Sequence, residues 1–157
     1  MTEILTPDIC VIGAGSGGLS VAAGAAQMGA AVVLIERGRM GGDCLNVGCV
    51  PSKSLIAAAA AAAAARTATR FGVGVDAPRI DGPAVFARVR SVIAAIAPND
   101  SVERFEGLGV RVIQAHARFT GRGCVQAGDA LVRARRFVVA TGSSAAVPPI
   151  PGLDRVP

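Results

Sequence analysis

The glycine-rich segment GAGSGG, residues 13–18, is the feature that most constrains the fold of this chain. It follows an apolar, β-branched run at residues 8–12, which predicts a strand. It precedes residues 19–28, whose alanine, leucine and glutamine content predicts a helix that Gly29 can cap. A second apolar run at residues 31–35 predicts the next strand. Because parallel strands need a crossover connection, this order of elements predicts a βαβ unit.

Three glycines and one acidic residue give this unit the pattern of a dinucleotide-binding turn. Gly13, Gly15 and Gly18 form GxGxxG, and Glu36 stands at the end of the second predicted strand. Glycine permits a tight turn, lets a pyrophosphate approach the backbone and lets the helix pack closely on the strand, while the helix N-terminus stabilises the anion. Glu36 would accept hydrogen bonds from ribose hydroxyls. The pattern predicts bound FAD or NAD; a glycine turn without a ligand is the alternative.

The rest of the chain predicts helices followed by short strands, in one compact domain of class α/β. Helices are predicted at residues 55–65, 84–97 and 101–108, with a polar, proline-containing break at residues 72–83. From residue 110 the apolar period changes to two. This predicts strands within residues 110–119, 123–134 and 136–142, with a turn at Gly128-Asp129.

Composition argues against several classes of partner. The chain has a net charge of +5, but its arginines are scattered and aromatic residues make up only 3%, so no nucleic acid is expected. The longest uncharged apolar stretch, residues 55–65, is shorter than the roughly 20 residues that cross a bilayer, so no membrane span is expected. The N-terminus lacks the pattern of a signal peptide, and four cysteines do not make a disulfide scaffold, which predicts a cytoplasmic protein.

Cys44 and Cys49 stand five positions apart in the segment GGDCLNVGCVPSK. In a regular helix five residues rise about 7.5 Å, too far for a disulfide. The pair can bridge if the chain bends, and Gly48 permits a bend while Pro51 suits the first position of a helix that follows. Cys49 would then lie near a helix N-terminus, which favours an accessible, interconvertible dithiol and disulfide. A zinc site or two unpaired structural thiols are the alternatives.

Lys53 is the only lysine among sixteen basic residues and follows the cysteine pair closely. A compact ammonium can act as a point charge near a polarisable ring and an acidic partner. The alternative is an exposed helix position occupied by lysine through chance.

The cysteine segment, residues 41–53, closely resembles the redox-active disulfide signature of the class I pyridine nucleotide-disulfide oxidoreductases, the flavoenzyme family of dihydrolipoamide dehydrogenase, mercuric reductase and glutathione reductase. The resemblance extends through the glycine fingerprint, HARFTG at residues 116–121 and VVATGSSAAVPPIPG at residues 138–152. It implies a Rossmann-like FAD-binding domain, with a parallel sheet and a small antiparallel β-meander, and FAD rather than NAD at the fingerprint.

The resemblance also implies roles for individual residues. Cys44 would be the interchange thiol that attacks a disulfide or dithiol substrate, Cys49 the thiol that faces the flavin, and Lys53 a neighbour of the flavin ring. The backbone around Ala115 to Ala117 would lie by the adenine. The residues implied to contact FAD are Gly13, Gly15, Ser16, Gly18, Glu36, Arg37, Gly42, Asp43, Cys44, Lys53, His116, Ala117, Ala140, Thr141 and Gly142.

Two details refine the resemblance. The sequence Pro51-Ser52-Lys53 is closer to the dihydrolipoamide dehydrogenase and mercuric reductase branches than to glutathione reductase. Asp43 stands where threonine is common, so an acid near the FAD phosphate would need a cationic neighbour such as Arg37 or Arg39. Elsewhere, Cys10 is interpreted as a core residue, Cys124 as structural, and the His116 side chain as an ordinary histidine rather than the family's catalytic one.

Family members are longer and continue into an NAD(P)H-binding domain and a dimerisation domain, so residues 1–157 are interpreted as the N-terminal part of the FAD-binding domain, without those two domains. The leading hypothesis is an FAD-dependent dithiol/disulfide oxidoreductase similar to dihydrolipoamide dehydrogenase. Its full-length form would be a homodimer that uses NAD(P)H and a disulfide or dithiol substrate such as a lipoyl protein. The alternatives are a mercuric reductase-like enzyme, a flavin-binding module without turnover, and an NAD-binding dehydrogenase with incidental cysteines.

Overall fold

A computed structural model describes residues 2–144 and 146–155, which form eight strands and five α-helices. The strands are β1 (Glu3–Leu5), β2 (Ile9–Ile12), β3 (Val32–Glu36), β4 (Arg111–Gln114), β5 (Ala117–Gly121), β6 (Cys124–Ala127), β7 (Ala130–Val132) and β8 (Arg136–Val139). The helices are α1 (Ser16–Gln27), α2 (Gly42–Asn46), α3 (Cys49–Thr67), α4 (Gly82–Ile96) and α5 (Val102–Gly107).

Four strands form a parallel sheet in the order β4-β3-β2-β8, with β2 at its centre next to β3 and β8. In this register Val11 pairs with Leu34 on one side and with Val138 on the other. Helix α1 connects β2 to β3 as the predicted crossover. The βαβ prediction is therefore confirmed, and α1 begins at Ser16, three residues before the predicted start.

The other four strands form a second sheet in the order β1-β7-β6-β5, in which β5, β6 and β7 are the predicted antiparallel meander. Gly128 forms the predicted turn, with a positive φ of 56°. Residues 110–119 were expected to give one strand, and the structure corrects this. The chain turns at Ala115, whose N–H donates to the carbonyl of Ile113 (3.1 Å), so β4 joins the parallel sheet and β5 the meander.

The parallel sheet is covered on both faces, which explains the unbroken apolar runs of β2 and β3. Val11 and Leu34 point to one face, where they pack with residues of α1 and with Phe105 of α5. Cys10 and Ile35 point to the other face and pack against the meander. Cys10 is fully buried there, as predicted for a core residue. The three layers are thus helices, parallel sheet and meander.

Helices α3 and α4 pack on each other outside these layers. Asp100, which follows the C-terminal end of α4, lies beside Gly41, which precedes α2. Since α2 leads directly into α3, the end of α4 lies near the start of α3, and the two helices run antiparallel. Helix α4 begins at the N-cap Asp81, whose carboxylate accepts a hydrogen bond from Ala84 N–H (3.0 Å). None of the 19 residues of α3 is buried. We refer to α3 and α4 together as the helical hairpin.

One helical stretch in the described part of the chain, Gly42–Phe71, has the length and composition of a membrane span, with a mean hydropathy of 1.5. It includes the helix-breaking bend at Gly48 and carries Lys53 within α3. Much of its apolar character comes from alanine, which is weakly hydrophobic. This stretch is longer than the apolar segment at residues 55–65 from which no membrane span was expected, and its main helix, α3, packs on α4.

Candidate functional site

The glycine turn after β2 has positions at which only glycine can be accommodated. Gly13 has a φ of 105°, and a Cβ at this position would overlap the carbonyl oxygen of Ala140. A Cβ on Gly18 would overlap the carbonyl oxygen of Gly13. The turn is anchored to the neighbouring strand by Gly13 N–H, which donates to the carbonyl of Ile35 (2.8 Å). These contacts place the turn at the carboxyl edge of the parallel sheet, between β3 and β8.

Helix α1 starts at this turn without a side-chain cap, because its N-cap residue is Gly15. The first N–H groups of a helix have no partner within the helix, so they are available to an anion. Gly41 and Gly42, both with positive φ, bring α2 against the same turn, and a Cβ on Gly42 would lie 2.7 Å from Cα of Gly15. Two glycine backbones therefore face each other at the start of α1.

The Glu36 carboxylate is fixed by backbone groups at the edge of the sheet. Its Oε2 accepts a hydrogen bond from Ala14 N–H and its Oε1 one from Gly38 N–H, both at 2.6 Å. Each carboxylate oxygen has a further lone pair that can accept from a hydroxyl. Glu36 is therefore oriented by the turn itself and retains the capacity to bind a ribose.

Two connected cavities run along this edge, and we call them together the glycine groove. One, of about 340 Å³, lies between β3, the β4–β5 turn and the segment after β8, and includes His116 and Ala117. The other, of about 710 Å³, extends along the N-terminus of α1 to Asp43 and Cys44 on α2. The residues that line both cavities are Gly13, Glu36, Arg37, Thr141, Gly142, Ser143 and Ser144. The groove is elongated and rich in backbone and polar groups, as an extended nucleotide requires.

Most of the residues predicted to contact a cofactor line this groove. They are Gly13, Gly15, Ser16, Glu36, Arg37, Gly42, Asp43, Cys44, His116, Ala117, Ala140, Thr141 and Gly142. Gly18 does not line the groove. Its lack of a side chain lets α1 approach the glycine turn closely. Lys53 lines a separate opening, described below. Arg37 and Arg39 both line the part of the groove that contains Asp43, as its charge would require.

Sequence analysis missed several lining residues, namely Gly17, Gly38, Asn46, Val47, Ser143 and Ser144. Asn46 has a defined structural role, since its side-chain amide donates to the carbonyls of Met40 (3.1 Å) and Gly42 (2.8 Å) and so holds α2 in place. Ser143 and Ser144 directly follow Thr141 and Gly142, which were predicted to contact the cofactor. Their position next to these two residues could have identified them as lining residues.

The cysteine pair spans a bend between α2 and α3, as predicted. Gly48 N–H donates to the carbonyl of Asp43 (2.6 Å), and a Cβ on Gly48 would lie 2.9 Å from that oxygen. Cys44 lies in α2, and Cys49 is the first residue of α3. The expected helix start at Pro51 is corrected, because Pro51 is the third helical residue. Proline is tolerated there since first-turn N–H groups need no helical partner.

All four cysteines are free thiols in this structure. A hydrogen bond between the Cys44 and Cys49 thiols raises the pKa of Cys44, desolvation adds to this, and the nearby Lys53 ammonium acts in the opposite direction. Burial raises the pKa of Cys10 to about 11, which makes that thiol unreactive. Cys124 is half-buried in β6. No group of three or more metal-ligating His, Cys, Asp or Glu side chains occurs among the described residues.

A second opening lies between the two helices of the hairpin, and we call it the helix cleft. It has a volume of about 640 Å³ and is lined by Cys49, Val50, Lys53, Ser54, Ala57, Ala58, Arg88, Val92 and Ile96. Cys44 therefore lines the glycine groove, and its partner Cys49 lines the helix cleft. A pair of interacting thiols between two openings can pass electrons from a group in one opening to a sulfur compound in the other.

Comparisons with known proteins agree with this geometry. The family described as Pyridine nucleotide-disulphide oxidoreductase matches residues 7–156. The chain is 36% identical over 155 residues to a mercuric reductase of Streptomyces lividans, which covers 95% of this chain and 33% of that protein. It is 36% identical over 152 residues to a dihydrolipoyl dehydrogenase of Chlamydia trachomatis, covering 92% of this chain and 32% of that protein.

Among solved structures, the chain resembles the HOCl-induced flavoprotein disulfide reductase RclA from Escherichia coli, solved as a Cu(II) complex, with a TM-score of 0.73 and 24% identity. The likeness covers 95% of this chain and 31% of that one, and it confirms the predicted Rossmann-like α/β fold. The chain spans about a third of the length of the relatives it matches.

Proposed function

Because the chain belongs to the pyridine nucleotide-disulphide oxidoreductase family, we propose that residues 1–157 are the N-terminal part of the FAD-binding domain of a dithiol/disulfide oxidoreductase. The observation that carries the proposal is the continuous glycine groove, which leads from the turn between β2 and α1 to the cysteine pair. The relatives named above include enzymes of this class, a dihydrolipoyl dehydrogenase and a mercuric reductase.

The residues present fit FAD. Gly15 and Gly42 leave the space at the start of α1 that a pyrophosphate needs, and the uncapped N-terminus of α1 supplies N–H donors. Glu36 would bind the ribose, and the cavity at His116 and Ala117 would receive the adenine. Arg37 would offset the charge of Asp43 beside the phosphates. When bound, the flavin would supply two-electron transfer chemistry next to the cysteine pair.

The pair Cys44 and Cys49 would exchange with the disulfide or dithiol substrate, with the nearby Lys53 lowering the cost of a thiolate. The family resemblance assigns substrate attack to Cys44 and the flavin side to Cys49. In the structure Cys44 lines the groove and Cys49 the cleft, but the two thiols are hydrogen bonded, so either opening leads to the pair. The resemblance assignment predicts that Cys49→Ser, and not Cys44→Ser, forms a stable mixed disulfide with substrate, which intact mass measures.

The cofactor proposal is tested by the visible spectrum of the purified chain after FAD is added and excess is removed. We expect the chain to retain flavin. We also expect thiol counting to show two additional thiols after mild reduction, and this increase should be absent in Cys44→Ser. Gly13→Ala should abolish retention, since its Cβ meets the Ala140 carbonyl and its φ is positive. The matched control is Gly24→Ala, which adds the same methyl group in α1 where nothing lies within 4 Å. Equal retention by the two variants would contradict the proposed site, and binding of NAD without flavin would favour a dehydrogenase.

A mercuric reductase-like activity is the second candidate, favoured by the similarity to the Streptomyces lividans enzyme. The relatives are about three times as long as this chain. In a protein of that length, we expect NAD(P)H to be the electron donor and the protein to be a homodimer. NADPH oxidation that depends on Hg²⁺ and not on a dithiolane disulfide would select the mercuric candidate. The reverse dependence would select the dihydrolipoyl dehydrogenase-like one.

A further inference from the structure

One end of the glycine groove contains charges of both signs, which the binding of an anion does not require. This end, which we call the phosphate end, is the cavity of about 710 Å³ at the N-terminus of α1. Its charged lining residues are Glu36, Arg37, Arg39 and Asp43. Asp43 lines it together with Gly15 and Ser16, at the position proposed for a pyrophosphate. A carboxylate repels a phosphate there, so Asp43 has a role that anion binding alone does not explain.

Backbone hydrogen bonds hold Arg39 and Asp43 against the glycine turn. Gly41 N–H donates to the carbonyl of Ala14 (2.9 Å), which lies in that turn, and Gly42 N–H donates to the carbonyl of Arg39 (3.3 Å). The segment from Arg39 to Asp43 is therefore itself a turn that lies beside the start of α1. It carries a cation at its first position and an anion at its last.

The other two charged residues act less directly on the phosphate end. The Glu36 carboxylate accepts hydrogen bonds from two backbone N–H groups, which offset part of its charge. Arg37 lines both cavities of the groove, whereas Arg39 and Asp43 line only the phosphate end. Both of these side chains are exposed, and the ion pairs among the described residues lie elsewhere. Arg39 and Asp43 are thus the two charges whose balance acts on the phosphate end alone.

We propose that Asp43 weakens the binding of the cofactor pyrophosphate and that Arg39 compensates for it, so that these two residues together set how firmly the groove retains FAD. The inference rests on the proposed function and deepens it, because it names residues that regulate the affinity of the same site. Opposite charges at one end of the groove largely cancel, which leaves the phosphates to the backbone N–H groups of α1. Removal of either charge exposes the other.

A purely structural role for Asp43 makes the opposite prediction. Asp43 stands in the first turn of α2, where a carboxylate stabilises a helix. If this were its only role, its removal would loosen α2 and weaken the binding of FAD. If the carboxylate repels the pyrophosphate, its removal strengthens the binding instead. The direction of the change therefore separates the two roles.

The test measures the Kd of FAD for the flavin-free 157-residue chain by isothermal titration calorimetry. At about 0.01 M salt, Asp43→Asn should lower the Kd about threefold and Arg39→Met should raise it about threefold, the scale of one exposed charge pair. The double variant should return close to the Kd of the unmodified chain. At about 0.1 M salt the Debye length falls from about 30 Å to about 10 Å, so both shifts should shrink. The matched controls are Glu106→Gln in α5 and Arg90→Met in α4, which remove the same charges outside the groove lining.

Weaker binding of FAD by Asp43→Asn would overturn the proposal, because the carboxylate would then only stabilise α2. Equal shifts in Asp43→Asn and Glu106→Gln would overturn it as well, since net charge alone would explain them. Asp43→Thr also removes the charge, should give the same shift, and serves where Asp43→Asn fails to fold.

The same titrations with inorganic pyrophosphate separate this inference from the cofactor assignment, because pyrophosphate has neither a flavin nor an adenine. We expect the variants to bind it in the same order of Kd values. Pyrophosphate binding in that order by a chain that does not retain FAD would refute only the cofactor assignment. FAD binding with one Kd in all variants would refute only this inference, and binding of neither ligand would refute both.

Discussion

The parallel sheet and the helical hairpin contribute the two ends of the candidate site and are stabilised very differently. The central strands β2 and β3 are almost entirely buried, whereas α3 has no buried residue and α4 has one, Val89. Elements with few buried apolar contacts open at a lower free energy than core strands. The end of the candidate site at the glycine groove is therefore built into the core, while the end at the helix cleft depends on helices that this chain stabilises only weakly.

The largest expected difference between the two regions is in the cost of truncating an apolar side chain. Leu34→Ala, in β3 and fully buried, should destabilise the chain by about 3 kcal/mol. Ile56→Ala, in α3 and 65% exposed, should cost less than about 0.5 kcal/mol. Urea unfolding of both variants measures the difference. Similar costs would break the comparison, because they would show that the exposed face of α3 is covered in solution by self-association.

A smaller effect is expected when the N-caps of two helices are removed. Asp81→Ala, at the start of α4, should accelerate amide hydrogen exchange in the hairpin by about fivefold, which corresponds to about 1 kcal/mol, and leave exchange in β2 and β3 unchanged. Ser101→Ala, at the start of α5, should instead lower the global stability, because Phe105 of α5 packs in the core. Exchange that rises equally in both regions after Asp81→Ala would mean that the hairpin and sheet unfold together.

The smallest effect concerns the thiols at the junction of the two regions. The hydrogen bond that the Cys44 thiol donates to Cys49 raises the pKa of Cys44, so the fold favours the protonated Cys44 thiol, and this stabilisation is lost as pH rises through the raised pKa. Cys49→Ala removes the hydrogen bond and should move the pH midpoint of Cys44 alkylation to lower pH. Iodoacetamide labelling followed by peptide mass analysis measures it. Cys124→Ala should leave the midpoint unchanged, and an unchanged midpoint in Cys49→Ala would show that the thiols do not interact.

The sheet and turn were predictable because their signals are local. The apolar run ending at Ile12, the GxGxxG glycines and Glu36 predicted a βαβ unit, and the structure shows that Gly13 and Gly18 are required by direct backbone contact. The bend at Gly48 was predicted because a regular helix would hold Cys44 and Cys49 too far apart to form a disulfide. Strand β1 was missed because three residues with mostly exposed side chains have no periodicity to detect. Helix α2 was missed because it is shorter than the helices that periodicity can identify.

The conformation of the glycine turn and the bend between the paired cysteines were thus determined by the sequence itself, since both depend on spacing within a few residues. Only the tertiary structure decided which residues from distant parts of the chain lie next to the glycine turn and the cysteine pair. Ala140, which directly follows β8, closes the turn from more than a hundred positions away, and Arg88 lines the helix cleft from a different helix than Cys49. Such neighbours follow from how sheets and helices pack, which local sequence does not encode. For the same reason Cys44 and Cys49 were identified as a candidate redox pair from their spacing, while the residues of α4 that line the helix cleft beside Cys49 were found only in the structure.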